Sequence, residues 1–153
     1  MKANIIDNLW ILAADANRGR IFKTDSLSGT LEEHLDFVHT QARLPESDLA
    51  KHSRGTYSTN QGAESHGLNQ QGSLKEHHAK VFAKQIAHQL ADAEQQHRFK
   101  NLILIASPGF LGLLRKELCK KVIDRVCFEL NKDLTTLSPS ELRQHLPRYL
   151  SLA

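Results

Sequence analysis

Four groups of residues in this chain combine types and spacings that could do chemistry. The first is Asp15 with Asn17, Arg18 and Arg20. A carboxylate at a strand end with two guanidinium groups nearby could hold an anion, because Arg offers paired N–H donors to carboxylate or phosphate oxygens. Asp15, Arg18 and Arg20 are therefore anion-site candidates. The same residues also suit a plain turn, since Asp and Asn side chains accept from backbone amides just ahead of them. The second group is Ser107-Pro108-Gly109-Phe110-Leu111-Gly112. Ser followed by Pro marks a helix start. The unbonded amides of a first helical turn and the positive end of the helix dipole make Ser107 and Gly109 further anion-binding candidates. The structural alternative is a simple cap, with Gly112 letting the helix pack closely on a sheet.

The third group is Arg115, Lys116, Lys120, Lys121 and Arg125, five basic residues within eleven. Glu117 and Asp124 dilute it, so it reads either as a solvated face or as a contact for a phosphate backbone. Aromatic residues are not interleaved, so base stacking is not expected. The fourth is the stretch 41–72, which contains Arg43, Lys51, His52, Arg54 and His66 together with Gln70 and Gln71. It holds four of the eight glycines and few large apolar residues, as an adaptable contact loop would.

Other chemistry is not expected. No phosphate-binding P-loop, GxGxxG, GxSxG or HExxH pattern occurs. Glu94-x-x-His97 is a single Glu-x-x-His, whereas helical di-iron sites use two. The nine histidines are scattered, and the adjacent His77 and His78 would diverge by about 100° on a helix. No structural metal and no cofactor are expected. A metal-dependent nuclease or hydrolase is the runner-up reading; its acids would have to come from Asp7, Asp15, Asp36, Glu76 or Asp133.

These groups need a scaffold. Leu9 to Ala14 is a continuous apolar run, as in a strand covered on both faces. Asp15 to Gly19 turns the chain and Arg20 to Thr24 returns it. Leu31 to His39 alternates as a half-exposed strand, with Leu31, Glu33, Leu35, Phe37 and His39 on one face. The long loop is expected to end at Ser73, where Ser73-Leu74-Lys75-Glu76 matches a capping box. A helix is expected from about Leu74 to His97, with the stripe Ala79, Phe82, Ala83, Ile86, Ala87, Leu90 and Ala93 buried. Leu102 to Ala106 is a second fully apolar strand. Phe110, Leu111, Leu114, Leu118 and Val122 continue at helical spacing. Arg125 to Leu130 reads as the last strand, and Ser138-Pro139-Ser140-Glu141 opens a short helix that Pro147 stops.

The element order is thus β-β-β-α-β-α-β-α. The two apolar strands should be neighbours at the middle of a mixed sheet, with helices on both faces. That order is the one found in ribonuclease H-like folds. Neither a repeat nor a second core is evident, so residues 1–153 are read as one α/β domain. Composition agrees: 153 residues, 40% hydrophobic and 24% charged, suit a globular domain and exclude disordered, collagenous and disulfide-stapled chains. Twenty basic against seventeen acidic residues leave +3, which permits a basic face without requiring nucleic acid. No apolar run approaches the ~20 residues of a membrane span, and no signal-peptide core follows Met1. Cys119 and Cys127 are expected to be reduced and buried, in a cytoplasmic protein.

Several segments together resemble the bacterial host attachment protein family, whose members are described as required for attachment to host cells. They are Trp10 to Phe22, Gln41-Ala42-Arg43-Leu44 with Asp48-Leu49, and Lys75-Glu76-His77 with Phe82-Ala83. Leu102 to Ala106 with Phe110 to Arg115, and Lys132 to Thr135 with Glu141 to Leu146, follow in the same order. That family is similar to the middle domain of archaeal and eukaryotic peptide-chain release factors, which implies a ribonuclease H-like core. In the release factors a loop before the long helix presents Gly-Gly-Gln; here the corresponding place reads Asn69-Gln70-Gln71-Gly72-Ser73. The resemblance without that tripeptide implies a non-enzymatic module. The expected partners are the ribosome, structured RNA or a protein, and a further alternative is a protein-interaction or adhesion factor in which the 41–72 loop is the contact surface. The residues expected to make contact are Arg43, Arg54, Gln70, Gln71, Arg115 and Lys116.

Overall fold

The computed structural model describes the backbone of residues 5–26, 29–38 and 63–147, and the side chains of residues 8–26, 29–35 and 73–147. Strand β1 (Ile5–Ala14), β2 (Arg18–Ser26) and β3 (Glu32–Val38) form the expected meander. The long helix α1 (Ala63–Gln95) leads to β4 (Asn101–Ala106), α2 (Pro108–Glu117), the single turn α3 (Lys120–Ile123), β5 (Val126–Leu130) and α4 (Pro139–Gln144). The five strands make one mixed sheet in the order β3-β2-β1-β4-β5. Strands β1 and β4 run parallel at its centre, from Leu9 beside Asn101 to Ala14 beside Ala106. Their uninterrupted apolar runs are explained by this position, because both faces of a central strand are covered.

Two cores sandwich the sheet. Trp10, Leu12, Leu102 and Leu104 face α1 and α2, meeting Phe82, Ile86, Leu90, Phe110 and Leu114. The predicted stripe of α1 is buried as expected, with Ala79 only partly covered. On the other face Leu9, Ile11, Phe22, Ile103 and Ile105 pack with Leu134, Leu142 of α4 and Leu146. Helices therefore cover both faces.

Four expectations are corrected. Helix α1 begins at Ala63, not near Leu74, so residues 63–72 are helical rather than loop and Ser73 lies inside the helix, exposed. A capping box helps only where the preceding residues leave amides unbonded; here a further two to three turns of Ala, Glu, Leu and Gln, good helix formers, precede it, and Gly67 and Gly72 do not break them. Second, the 110–122 helix is interrupted: Leu118 is extended (φ −68°, ψ 134°) and Cys119 starts a new turn. Leu118 and Val122 are still buried, so the apolar spacing persisted through a break it did not signal. Third, the alternation of β3 is broken. Ile21 pairs with Leu35 but Phe22 with Glu33, so His34 is the extra residue of a bulge and Leu35 lies on the face opposite Glu33. Fourth, Cys119 is exposed and Cys127 half-buried; both are free thiols.

The end of α1 uses an unusual residue. His97 N–H bonds Glu94 C=O at 2.9 Å and Arg98 N–H bonds Ala93 C=O at 2.9 Å, the paired closure of a helix that turns left-handed. His97 takes the left-handed position with φ 56°, where glycine is usual.

Candidate anion-binding cleft

The carboxyl ends of β1 and β4 lie side by side, and Ser107 N–H bonds Ala14 C=O at 3.3 Å just beyond them. From this point the chain leaves β1 towards β2 on one side and β4 towards β5 on the other. Diverging connections open a crevice at such a point in an α/β sheet.

One wall of the crevice is the turn after β1. Asp15 Oδ1 accepts from the Asn17 and Arg18 amides, each at 2.8 Å, and Asp15 N–H bonds Arg18 C=O at 2.9 Å. Its Oδ2 accepts from the Thr135 hydroxyl at 3.3 Å, a group that also lies 2.8 Å from Asp133 Oδ1. Asp15 is thus a turn former tied to the segment after β5. Arg20 is 7% exposed. It forks onto Glu33 (2.8 and 3.0 Å) and donates to the carbonyls of Thr135 (3.1 Å) and Leu137 (2.5 Å), with its guanidinium 4.9 Å from the Phe22 ring centre. The guanidinium is engaged on the far side of the sheet and acts as a clamp on the 135–137 segment.

The other wall is the start of α2. Pro108 has no N–H, and Leu111 N–H bonds Ser107 C=O at 2.9 Å. The remaining first-turn amides belong to Gly109 and Phe110. Ser107 makes no side-chain cap, so the hydroxyl does not compete for them. A Cβ on Gly109 or Gly112 would meet nothing within 4 Å, so the expected close packing at Gly112 is not what places a glycine there. Between α2 and the middle of α1 lies a cleft of about 670 Å³, lined by Ser107, Gly109 and Phe110 and, across from them, Lys75, Glu76, His77 and Lys80. Two lysines against one glutamate, with His77 beside them as a polar partner and the first turn of α2 opposite, make a cleft suited to an oxyanion.

The structure therefore brings Ser107 and Gly109 to the cleft and sets Asp15 beside it through Ala16, which lines it. Arg115 and Lys116 lie in the last turn of α2, away from the cleft. Arg115 pairs with Glu129 of β5, which raises its pKa further, and Lys116 is exposed. Within the same basic group Arg125 pairs with Glu94 at 3.5 Å. Gln70 and Gln71 are in α1, with side chains outside the described residues, as are Arg43 and Arg54 entirely. Lys75, His77 and Lys80 were missed as a site because spacings of two, three and five do not make one helical stripe; only packing against α2 gathers them. Among the described residues no group of three or more His, Cys, Asp or Glu is placed to hold a metal, and no helix is long and apolar enough to cross a membrane.

The family model described as "Protein required for attachment to host cells" matches residues 10–146 of the chain. No curated protein matches the sequence.

Proposed function

Because this chain belongs to the family of proteins required for attachment to host cells, we propose that it is a cytoplasmic, non-enzymatic module that grips phosphate groups of structured RNA. The observation that carries this reading is the cleft lined both by Gly109 and Phe110 of the first turn of α2 and by Lys75, His77 and Lys80 of α1. A helix amino end supplies directed N–H donors, and the lysines supply screened but long-range attraction. Lys116, Lys120 and Lys121, exposed away from the cleft, would add a second basic patch, and Arg43, Arg54, Gln70 and Gln71 of the preceding stretch would widen the contact. The strand order β3-β2-β1-β4-β5 supports a ribonuclease H-like core and, through it, kinship with the release-factor middle domain. The extent of the family match supports treating the whole chain as one domain.

The test is fluorescence anisotropy with a labelled RNA hairpin across a salt series. Binding should weaken with salt, and Lys75→Glu with Lys80→Glu should lower affinity and flatten the log–log slope by about 1.5, roughly 0.7–0.9 per phosphate contact. Absence of wild-type binding at low salt, or an unchanged slope, refutes the reading. Labelling of intact cells separates it from a surface role in attachment. A metal-dependent hydrolase is favoured by one observation, the convergence of Asp15 and Asp133 on the Thr135 hydroxyl. Magnesium- or manganese-dependent cleavage of RNA that vanishes in Asp15→Asn would establish that alternative instead.

A further inference from the structure

Trp10 is 1% exposed, and its indole nitrogen has no hydrogen-bond partner among the described residues. A buried N–H left without an acceptor costs about 1–3 kcal/mol, and native proteins hold few of them. The ring lies against Phe99 (centroids 5.0 Å apart) and beneath His34 (5.4 Å) and the Lys23 ammonium (5.5 Å). Beside it is a cavity of about 180 Å³ near the carboxyl end of α1, whereas the anion cleft lies against the middle of that helix. Trp10, Ile21 and Leu35 form its apolar floor; Gln89, Asp92, Gln96 and Arg98 form its rim. Gln89, Asp92 and Gln96 share one face of α1 by their spacing of three and four. Within the described residues none of these four side chains is drawn into a hydrogen bond or ion pair.

Trp10, which lines this cavity, therefore carries one buried donor in need of an acceptor. The rim offers two amides, each both donor and acceptor, one carboxylate and one guanidinium, with no net charge. The volume is below that of drug-sized pockets and suits a single ring system. We propose that this is a second binding site, for a neutral nitrogen heterocycle of nucleobase type. A ring carbonyl or ring nitrogen accepts from the Trp10 N–H once His34, exposed on the bulge of β3, swings off the indole. The alternating donors and acceptors of the ligand's outer edge meet Gln89, Asp92 and Gln96, as unstacked bases are read by side chains elsewhere.

Trp10 is the only tryptophan, so its indole N–H gives a single peak in the nitrogen–proton spectrum of the labelled full chain. Uridine, cytidine, adenosine and guanosine are titrated separately to millimolar concentration, with benzoate as an anionic comparison. These nucleosides carry no phosphate, so the anion cleft contributes nothing and failure of either reading leaves the other intact. We expect at least one nucleoside to move the indole peak saturably, and Asp92→Ala with Gln96→Ala to weaken it by about tenfold or more. Gln89→Ala replaces the double variant if that variant loses its dispersed spectrum. No shift with any nucleoside, a shift with benzoate alone, or affinity kept within about twofold in the variant overturns the proposal.

Discussion

Removing the Arg20 guanidinium should be among the most damaging single changes to this fold. Four hydrogen bonds end on it, two to the Glu33 carboxylate and two to the carbonyls of Thr135 and Leu137, more than a hundred residues away in sequence. Arg20→Ala leaves a carboxylate and two carbonyls without their donor. Breaking a buried pair from one side costs about 3–5 kcal/mol. The Glu33 side chain is 33% exposed, so water partly replaces the lost partner and the lower end applies, about 3 kcal/mol. For a chain of this size that is a fall in melting temperature of about 6–12 °C. Arg20→Lys keeps the charge but not the planar fork and should lose about 2 kcal/mol. The assay is urea unfolding followed by the fluorescence of Trp10, with the slope against denaturant checked for constancy. Hydrogen exchange should also quicken at 134–146, the segment that Arg20 ties over the second core. A loss under about 0.5 kcal/mol in Arg20→Ala, or an Arg20→Lys variant as stable as the parent, refutes the clamp, because exposed pairs contribute that little.

Other consequences follow from single residues. His97→Gly should stabilise the chain by about 0.5–1 kcal/mol, since a left-handed non-glycine residue costs about 1–2 and the gain is reduced by glycine's freedom when unfolded; equilibrium unfolding reads it. Leu90→Ala, at a site 0% exposed, should cost about 3–5 kcal/mol by the same measurement. Burial, only partly opposed by backbone hydrogen bonds at Cys127 and Leu102, sets the Cys127 thiol above the ordinary range. Stability from keeping it neutral is therefore complete below the unfolded thiol pKa and lost as pH rises past it, and thiol reagents should modify exposed Cys119 first. Desolvation, then Lys23 and Arg98, hold the His34 pKa below the ordinary imidazole value. The unfolded state then binds the extra proton, so stability should fall as pH drops through the imidazole range, and His34→Gln should remove that slope from a pH series of unfolding midpoints.

Much of this architecture is legible locally. Leu9 to Ala14 and Leu102 to Ala106 announce central strands because only a position covered on both faces tolerates six or five apolar residues in a row. The 3–4 spacing from Ala79 to Ala93 announces the buried side of α1, and Ser138 does cap α4, its hydroxyl accepting from Glu141 N–H at 3.3 Å. Ser73 shows the limit of such signals: a cap residue is compatible with a helix start but does not compel one when the residues before it can also be helical.

The sequence alone thus determined the order and type of the strands and main helices and the apolar faces of the central strands and of α1, though not the break at Leu118 or the bulge of β3, since periodicities of two and 3.6 are read within a few residues. Tertiary structure alone decided the partners. It turned Arg20, a candidate anion binder, into a clamp; it folded Asp15 into a turn shared with Thr135; it gathered Lys75, His77 and Lys80 opposite Ser107 and Gly109; and it left the Trp10 indole without an acceptor among the described residues. Each of those outcomes rests on contacts between residues distant along the chain, set by strand order and by one inserted residue at His34, and no local pattern carries that information.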